Sequence, residues 1–559
     1  MRDKPSALDA ISRRGLFGAS AALAAGAASA APSHVGPTSH VGPTSQAATV
    51  TTPPGLVVQT QAGKVRGYRS HGISVFKGVP YGADTSGQAR FLPPAPPKDW
   101  SGERLAVSYG PVCPQARPTA PENQVAAFLM PGDEGVQDED CLRLNIWTPA
   151  PDAARRPVLV WIHGGQYSAG SSQAHRSQDG ENLSRRGDVV VVSINHRLNV
   201  LGFLNAAGLT DDASFAHPNA GMLDIIAALQ WVRDNIAAFG GDPGNVTLFG
   251  QSGGGLKIST LLAMPAAKGL FHKGIIQSGS QPHVFTSAET QAVAAAFVKA
   301  MGLDRDLTSL KTAPIGQLMA AEAVARGKVM RFPLTGQKLW TTVGWAPSID
   351  GSSVPRDAFA GPPAVDAALL IGTTRHEFNP AVFLPAQAGM TEDGLLKSLQ
   401  RAYGERAATI LALFRARHPA EPPAALSAII SAAGFNRVNA VTQAQMAAKA
   451  GGAAYLYQFD WRTPVLDGRA GAYHCSELPL VFHNAQLCAT STGGGPRAER
   501  MADLMADTWI AFARTGQPGH AGLPAWPRVT ANSAPTMALD DRPGLADDDA
   551  VELAAVAGV

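Results

Sequence analysis

A serine flanked by glycines at the end of an apolar run constrains the fold of this chain most. Gly250-Gln251-Ser252-Gly253-Gly254 follows the apolar residues 246–249, and a helix-compatible stretch, residues 256–263, comes next. With 58 glycines in 559 residues, a single G-x-S-x-G match can readily arise by chance, but its strand–turn–helix setting is typical of a nucleophile elbow. Such a turn exposes a strained serine above the sheet, and flanking glycines avoid Cβ clashes. Ser252 is therefore predicted to be a nucleophile; an ordinary glycine-rich turn is the alternative.

Further apolar runs predict an open α/β sheet around this turn. Residues 158–162, 189–194 and 367–371 have the length and composition of buried parallel strands. A helix between two of the strands has one apolar face and is predicted to stop at Gly240-Gly241-Asp242-Pro243. Residues 286–435, rich in alanine and in helical patterns, predict inserted helices over the active site. We expect a mostly parallel central sheet flanked by helices. The apolar face of the helix consists of Ile225, Ala228, Leu229, Val232 and Ile236.

A second glycine-rich segment follows the strand predicted at residues 158–162. In His163-Gly164-Gly165-Gln166-Tyr167 the backbone N–H groups can point at a substrate oxygen. The residue after the nucleophile, Gly253, supplies another N–H. The alternative is a plain loop. A serine hydroxyl also requires a base, and composition alone does not choose among the 14 histidines.

The N-terminal residues predict export. Ser12-Arg13-Arg14-Gly15-Leu16-Phe17 is a twin-arginine pattern, followed by an apolar stretch and the small-residue site Ala28-Ser29-Ala30. Residues 1–30 are predicted to be a signal peptide for a periplasmic or extracellular protein; a short membrane anchor is the alternative. Residues 31–54, with a Ser-His-Val-Gly-Pro-Thr repeat, predict a flexible linker and not a metal-capturing histidine pair. The globular domain is expected over residues 55–559.

Charge and cysteine spacing exclude several function classes. The net charge is +2 and basic residues are not clustered, which argues against nucleic acid as a partner. The four cysteines lack metal-ligand spacing and the histidines are scattered, so neither a metal nor another cofactor is expected. Beyond the signal peptide, no segment is predicted to insert stably into a membrane.

Ordered blocks along most of the chain resemble the type-B carboxylesterases, the family of bacterial para-nitrobenzyl esterases and cholinesterases. The similarity extends from about residue 57 to about residue 539 and implies the α/β-hydrolase fold. The blocks are Phe76-Lys77-Gly78-Val79-Pro80-Tyr81, Arg90-Phe91-Leu92-Pro93-Pro94, Glu139-Asp140-Cys141-Leu142-Arg143-Leu144-Asn145-Ile146, Asn195-His196-Arg197-Leu198 with Gly202-Phe203-Leu204, Trp509-Ile510-Ala511-Phe512-Ala513, and Leu523-Pro524-Ala525-Trp526-Pro527.

The resemblance also assigns the partners of Ser252. Gly372-Thr373-Thr374-Arg375-His376-Glu377 resembles the block that carries the acidic member, Glu377, and Gly471-Ala472-Tyr473-His474 resembles the block that carries the catalytic base, His474. It implies a serine hydrolase that cleaves small-molecule carboxylic esters through an acyl-enzyme. The adjacent His376 and the H-x-x-E residue Glu477 are interpreted as structural. An amidase or lipase on the same scaffold, or a non-catalytic cholinesterase-like binding module, is the alternative.

Two positions depart from the family pattern. Gln166 replaces a third glycine, but its backbone N–H survives, so the expected oxyanion hole is Gly165, Gln166 and Gly253. The added side chain is expected to exclude hindered substrates such as tertiary-alcohol esters. Gln251 stands where the family commonly has a glutamate, so a negative charge beside the nucleophile is lost.

The family pattern also implies a pairing of cysteines. Cys113 and Cys141 match its N-terminal disulfide, whose loop closure contributes about 3 kcal/mol. Cys475 and Cys488 are either a second bridge beside the catalytic histidine or two buried thiols. An oxidising compartment favours both bridges.

Overall fold

The computed structural model describes residues 50–52, 55–116, 123–132, 135–325, 329–331, 341–361, 363–546 and 549–557. The described residues belong to one compact unit. The predicted signal peptide and most of the predicted linker lie outside them. Two residues from the end of that linker, Val50 and Thr51, form an edge strand that pairs with Arg69 and Ser70.

The described residues form a twelve-stranded sheet that is parallel in its centre. In space the strands follow the order β1-β2-β3-β4-β6-β5-β7-β8-β9-β10-β11-β12. The seven strands from β6 to β11 in that order are parallel, and the remaining pairings are antiparallel. In chain order they are β1 (Val50–Thr51), β2 (Tyr68–Ser70), β3 (Ile73–Pro80), β4 (Arg143–Thr148), β5 (Arg156–Ile162), β6 (Val190–Ile194), β7 (Gly241–Gln251), β8 (Lys273–Gln277), β9 (Ala368–Thr374), β10 (Ala454–Phe459), β11 (Thr536–Leu539) and β12 (Gly544–Leu545).

Helices cover both faces of this sheet, which explains why its central strands are apolar throughout. Alternate residues of β5 enter different apolar layers: Val158 and Val160 pack into one, and Leu159 and Trp161 pack into the other. The first layer contains the apolar side of helix Ala220–Asn235, and the second contains that of helix Gly495–Thr515. The predicted parallel α/β architecture is confirmed.

The helix before β7 stops at Gly240, the first residue of the predicted stop. The α-helix ends at Asn235 and continues as one 3-10 turn, Ile236–Phe239. Gly240 then terminates it with φ +83°, a conformation that glycine adopts without a Cβ clash. Gly241, Asp242 and Pro243 belong to β7, which is irregular between Gly241 and Val246.

The inserted region is mainly helical, as predicted, although β9 runs through it. Outside the main sheet, two small sheets consist of Val57–Gln59, Lys64–Arg66 and Glu103–Leu105, and of Val329–Arg331 and Thr341–Val343. No helix within the described ranges is long and apolar enough to cross a membrane. The α-helices are Gln124–Leu129, Glu181–Gly187, Asn199–Phe203, Ala220–Asn235, Gly253–Leu261, Ser287–Ala300, Ile315–Ala325, Pro380–Phe383, Glu392–Tyr403, Ala407–Arg417, Pro423–Ala432, Val438–Lys449, Leu478–Val481, Ala489–Thr492, Gly495–Thr515 and Ala550–Ala557.

Candidate active site

Ser252 lies on the sharp turn between β7 and helix Gly253–Leu261. Its backbone is strained, with φ 55° and ψ −122°, and its N–H donates to the carbonyl of Gln277 at 2.7 Å. A Cβ on Gly254 would lie 1.9 Å from the carbonyl oxygen of Ile162, and one on Gly250 would lie 2.7 Å from the carbonyl carbon of Gly254. The glycines of the motif are therefore required by close backbone packing, and the predicted strand–turn–helix setting is confirmed.

Glu377 and His474, 97 residues apart, meet at the same edge of the sheet. Ser252 follows β7 and Glu377 lies just beyond β9, and both strands are parallel, so their carboxyl ends share this edge. The Nδ1 atom of His474 lies 2.5 Å from Oε2 of Glu377, and Oε1 of Glu377 accepts the N–H of Thr374 at 3.1 Å. Because Glu377 is fully buried and His474 is 6% exposed, this contact is shielded from water. The pairing fixes a proton on Nδ1 and leaves Nε2 available to act as a base.

The imidazole has a second neighbour that the sequence does not reveal. The Nε2 atom of Gln251 lies 3.0 Å from Nε2 of His474. Within the described ranges, the polar groups in contact with the imidazole belong to Glu377 and Gln251, and the Ser252 hydroxyl is not among them. The hydrogen bond between a base and a nucleophilic hydroxyl often tightens only when substrate binds.

The glycine-rich segment after β5 packs directly on the elbow. A turn is closed by the N–H groups of Ser168 and Ala169, which both donate to the Gly165 carbonyl. Gly165 and Gln166 have φ values of +87° and +54°. A Cβ on Gly253 would lie 2.3 Å from the backbone nitrogen of Gln166, so the two predicted oxyanion segments touch at this point. The side chain of Gln166 is exposed.

A buried lysine lies behind this segment. Lys257, on the helix that follows Ser252, is fully buried, and its Nζ donates to the carbonyl of His163 at 3.1 Å. Burial lowers the pKa of Lys257 to about 7. The rings of His163 and His196 stack at 4.8 Å, and burial followed by the charge of Lys257 lowers the pKa of each histidine well below its usual value.

A second carboxyl group lies close to His474. Glu477 is fully buried, its Oε1 accepts the side-chain N–H of Gln277 at 3.1 Å, and its Oε2 has no partner within the described residues. Burial raises the pKa of Glu477 to about 7. His376, next to Glu377 in the chain, makes its contacts away from Ser252. Its Nδ1 accepts the N–H of Ala472 at 3.2 Å, and its Nε2 lies 3.8 Å from Oε1 of Glu421.

All four cysteines are thiols in this structure. Cys113 and Cys141 are buried, and the interaction with the Cys113 thiol is the largest of the effects that raise the pKa of Cys141. The Sγ–H of Cys475 donates to Oε1 of Gln251 at 3.3 Å. Cys475 and Cys488 both line a small apolar pocket of about 40 Å³. The two bridges stay predictions.

Four contributors to the site are missed by sequence reasoning. The sequence marks Gln251 only as a lost charge, and it gives no sign that Phe378 stacks on His474, that Cys475 contacts Gln251 or that Lys257 supports His163. Each of these contacts joins segments far apart in the chain. A lysine within the apolar stretch 256–263 is the one local signal, because a charged side chain on a buried helix is unusual.

Comparisons with known proteins agree on one family. A model described as the carboxylesterase family matches residues 54–553. The chain is 34% identical over 497 residues to phenmedipham hydrolase of Pseudarthrobacter oxydans, covering 87% of this chain and 95% of that protein. It is 33% identical over 500 residues to para-nitrobenzyl esterase of Bacillus subtilis, covering 88% and 96%. A solved esterase of Clostridium hathewayi that can hydrolyse aliphatic aromatic polyesters has a TM-score of 0.75 and 34% identity, covering 91% of this chain and 99% of that one.

Proposed function

Because the chain belongs to the carboxylesterase family, we propose that Ser252, His474 and Glu377 carry out its chemistry as a catalytic triad. The chain is a serine hydrolase of the α/β-hydrolase fold that cleaves carboxylic esters. The observation that carries the assignment is the buried 2.5 Å contact between His474 and Glu377 at the sheet edge where the strained Ser252 lies.

In this mechanism Nε2 of His474 takes the proton from Ser252 as the hydroxyl attacks the ester carbonyl. The C–O bond of the ester then breaks, His474 returns the proton to the leaving alcohol, and the acyl group stays on Ser252. Glu377 holds the imidazole by Nδ1 and stabilises its cationic form. Water, activated by the same base, then hydrolyses the acyl-enzyme and regenerates Ser252.

The oxyanion of the tetrahedral intermediate is assigned to the N–H groups of Gly165, Gln166 and Gly253. The close approach of Gln166 to Gly253 supports this assignment, and each donor contributes about 3 kcal/mol to the transition state. The exposed side chain of Gln166 stands beside this hole, and it is expected to hinder bulky alcohol groups such as tertiary ones.

We place the substrate among small esters with an aromatic part. The names of the relatives support this choice, since they include a para-nitrobenzyl esterase and an esterase that can hydrolyse aliphatic aromatic polyesters. The half-exposed ring of Phe378, beside the imidazole that protonates the leaving alcohol, offers an aromatic surface for the alcohol side of such an ester.

We also propose that the protein is exported by the twin-arginine route and acts in the periplasm or outside the cell. The Arg13-Arg14 pattern and the Ala28-Ser29-Ala30 cleavage site support this proposal. An oxidising compartment would allow the contacting thiols of Cys113 and Cys141 to form a disulfide.

The test of the nucleophile is the variant Ser252→Ala, assayed with a short-chain aryl ester at pH 8. We expect turnover to fall by at least about 10³-fold, because no other group can form the acyl-enzyme. The exposed Ser101→Ala variant is the matched control and keeps full activity. Turnover of Ser252→Ala within tenfold of the unmodified protein, with the same melting temperature, would contradict the assignment.

A further inference from the structure

The imidazole of His474 has a planar group on its buried side. The Nε2 atom of Gln251 is 3.0 Å from Nε2 of the ring and 3.4 Å from Nδ1. A point so close to both ring nitrogens cannot lie in the ring plane without overlapping the Cε1 atom between them. The carboxamide nitrogen therefore lies over a face of the imidazole, and the in-plane lone pair of Nε2 stays free for the Ser252 proton.

An aromatic ring also packs against the imidazole. The Phe378 and His474 ring centroids are 4.5 Å apart, with the planes inclined by 31°. Gln251 is 2% exposed and Phe378 is 46% exposed, so the carboxamide lies on the buried side of the imidazole and the phenyl ring on the solvent side. Phe378 is supported in turn by Phe383, edge-on at 5.6 Å.

The carboxamide of Gln251 is itself fixed in orientation. Its Oε1 accepts the Sγ–H of Cys475 at 3.3 Å, and a Cβ on Gly164 would lie 3.2 Å from the same oxygen. Burial raises the pKa of Cys475 well above its usual value, so the sulfur keeps the proton that it donates. With the oxygen held in this way, the N–H₂ group is directed at the imidazole. A bridged Cys475 would have no S–H, so this arrangement favours the two-thiol alternative for Cys475 and Cys488.

We propose that Gln251 and Phe378 clamp the imidazole of His474 between them, and that Gln251 is a positioning residue that holds the ring in the correct orientation. The proposal rests on the role of His474 as the base. A glutamate at the same position would place a negative charge there and would favour the imidazolium ion.

The proposal predicts a shift in the acidic limb of the pH profile of kcat/KM when Gln251 is replaced by glutamate. Among the described residues, the ionisable groups around His474 are Glu377, just beyond β9, and two residues of its own segment, Glu477 and the adjacent Cys475. Gln251→Glu adds one more anion on the buried face. An opposite charge at this range shifts a titration by about 1–3 pH units. We expect the midpoint of the acidic limb of kcat/KM to rise by about one pH unit or more.

The experiment compares Gln251→Glu with Gln317→Glu, which makes the same change on an exposed part of helix Ile315–Ala325. Gln317→Glu should leave the profile unchanged. A second variant, Gln251→Leu, keeps the bulk without the amide, and we expect kcat on the alkaline plateau to fall about tenfold with little change in KM. Phe378→Ala should lower kcat in the same way, and Phe378→Tyr should restore it.

The outcomes separate this proposal from the catalytic assignment. If Ser252→Ala is inactive while Gln251→Glu leaves the acidic midpoint unchanged and Gln251→Leu keeps full kcat, the clamp is overturned and the triad stands. If Gln251→Glu does not fold, kcat of Gln251→Leu decides alone. If Ser252→Ala keeps its activity, the catalytic assignment itself is wrong.

Discussion

The two sides of the elbow bury ionisable groups in opposite ways. On the catalytic side, formed by Gln251, Glu377 and His474, the carboxylate and the imidazole meet at 2.5 Å. On the rear side, formed by Lys257, His163 and His196, the ammonium donates to a single carbonyl, and Nε2 of His196 has no partner within the described ranges. Burial is nearly complete on both sides. The two sides therefore differ in whether the buried ionisable group has an ionisable partner, and not in how deeply it is buried.

This difference matters because of desolvation. Removing a charge from water costs several kcal/mol unless an opposite charge or enough hydrogen bonds replace the lost hydration. Glu377 receives both an imidazole N–H and the N–H of Thr374, whereas no carboxylate pairs with Lys257 in the described part of the chain. The catalytic side can therefore hold charge during the reaction, while the rear side reduces the stability of the fold.

The largest effect is expected when the Glu377–His474 pair of the catalytic side is broken. Glu377→Gln keeps the shape but removes the charge, and its amide favours the wrong tautomer of His474. We expect kcat at pH 8 to fall by about 10³–10⁴-fold, as for comparable triads. The control is the exposed Glu405→Gln, which should keep full activity. A loss of less than tenfold in a folded Glu377→Gln protein would show that the pairing does not serve catalysis.

A smaller effect, on stability, is expected from the rear side. The pKa of Lys257 is about 7 in the folded protein and 10.5 when exposed, so at pH 7 folding must expel about half a proton and weaken the binding of the rest, at a cost of about 4 kcal/mol. Lys257→Met removes this cost and also loses the hydrogen bond to His163, worth about 1 kcal/mol. We expect a net gain of about 3 kcal/mol in the free energy of unfolding at pH 7.

The pH dependence identifies the cause of that gain. The unfolded protein binds more protons at Lys257 between pH 7 and 10.5, so the stability of the unmodified protein rises with pH across this window. The advantage of Lys257→Met should therefore shrink as the pH approaches 10.5. Urea unfolding at pH 7 and pH 9.5 measures the difference, with the exposed Lys268→Met as control. An advantage that stays constant with pH would point to packing and not to charge.

The sequence predicts the catalytic side far better than the rear side, for a physical reason. The elbow is encoded by adjacent residues, because a strand, two close glycine contacts and a helix follow one another from residue 241 to residue 261. Glu377 and His474 are assigned by resemblance, and only the fold brings them together. The sequence marks Lys257 only as a charged residue within an apolar helical stretch. Its burial depends on the packing of its helix under His163, which no local pattern encodes.

The smallest effect is expected at Glu477. This residue adjoins the catalytic side, but it is buried with incomplete hydrogen bonding, as the groups of the rear side are. It has one hydrogen-bonded oxygen, and its pKa is raised to about 7 by burial. The folded protein therefore binds more protons than the unfolded chain between pH 4.5 and 7, so this residue lowers stability as the pH rises through that window. Glu477→Gln keeps the acceptor for Gln277 and removes the charge. Glutamine adds one poorly paired N–H, which costs about 1 kcal/mol at any pH, so we expect a net gain of about 2 kcal/mol at pH 8 and a net loss of about 1 kcal/mol at pH 4. Urea unfolding at the two pH values measures it, and a loss of stability at pH 8 would mean that the charge of Glu477 has a partner after all.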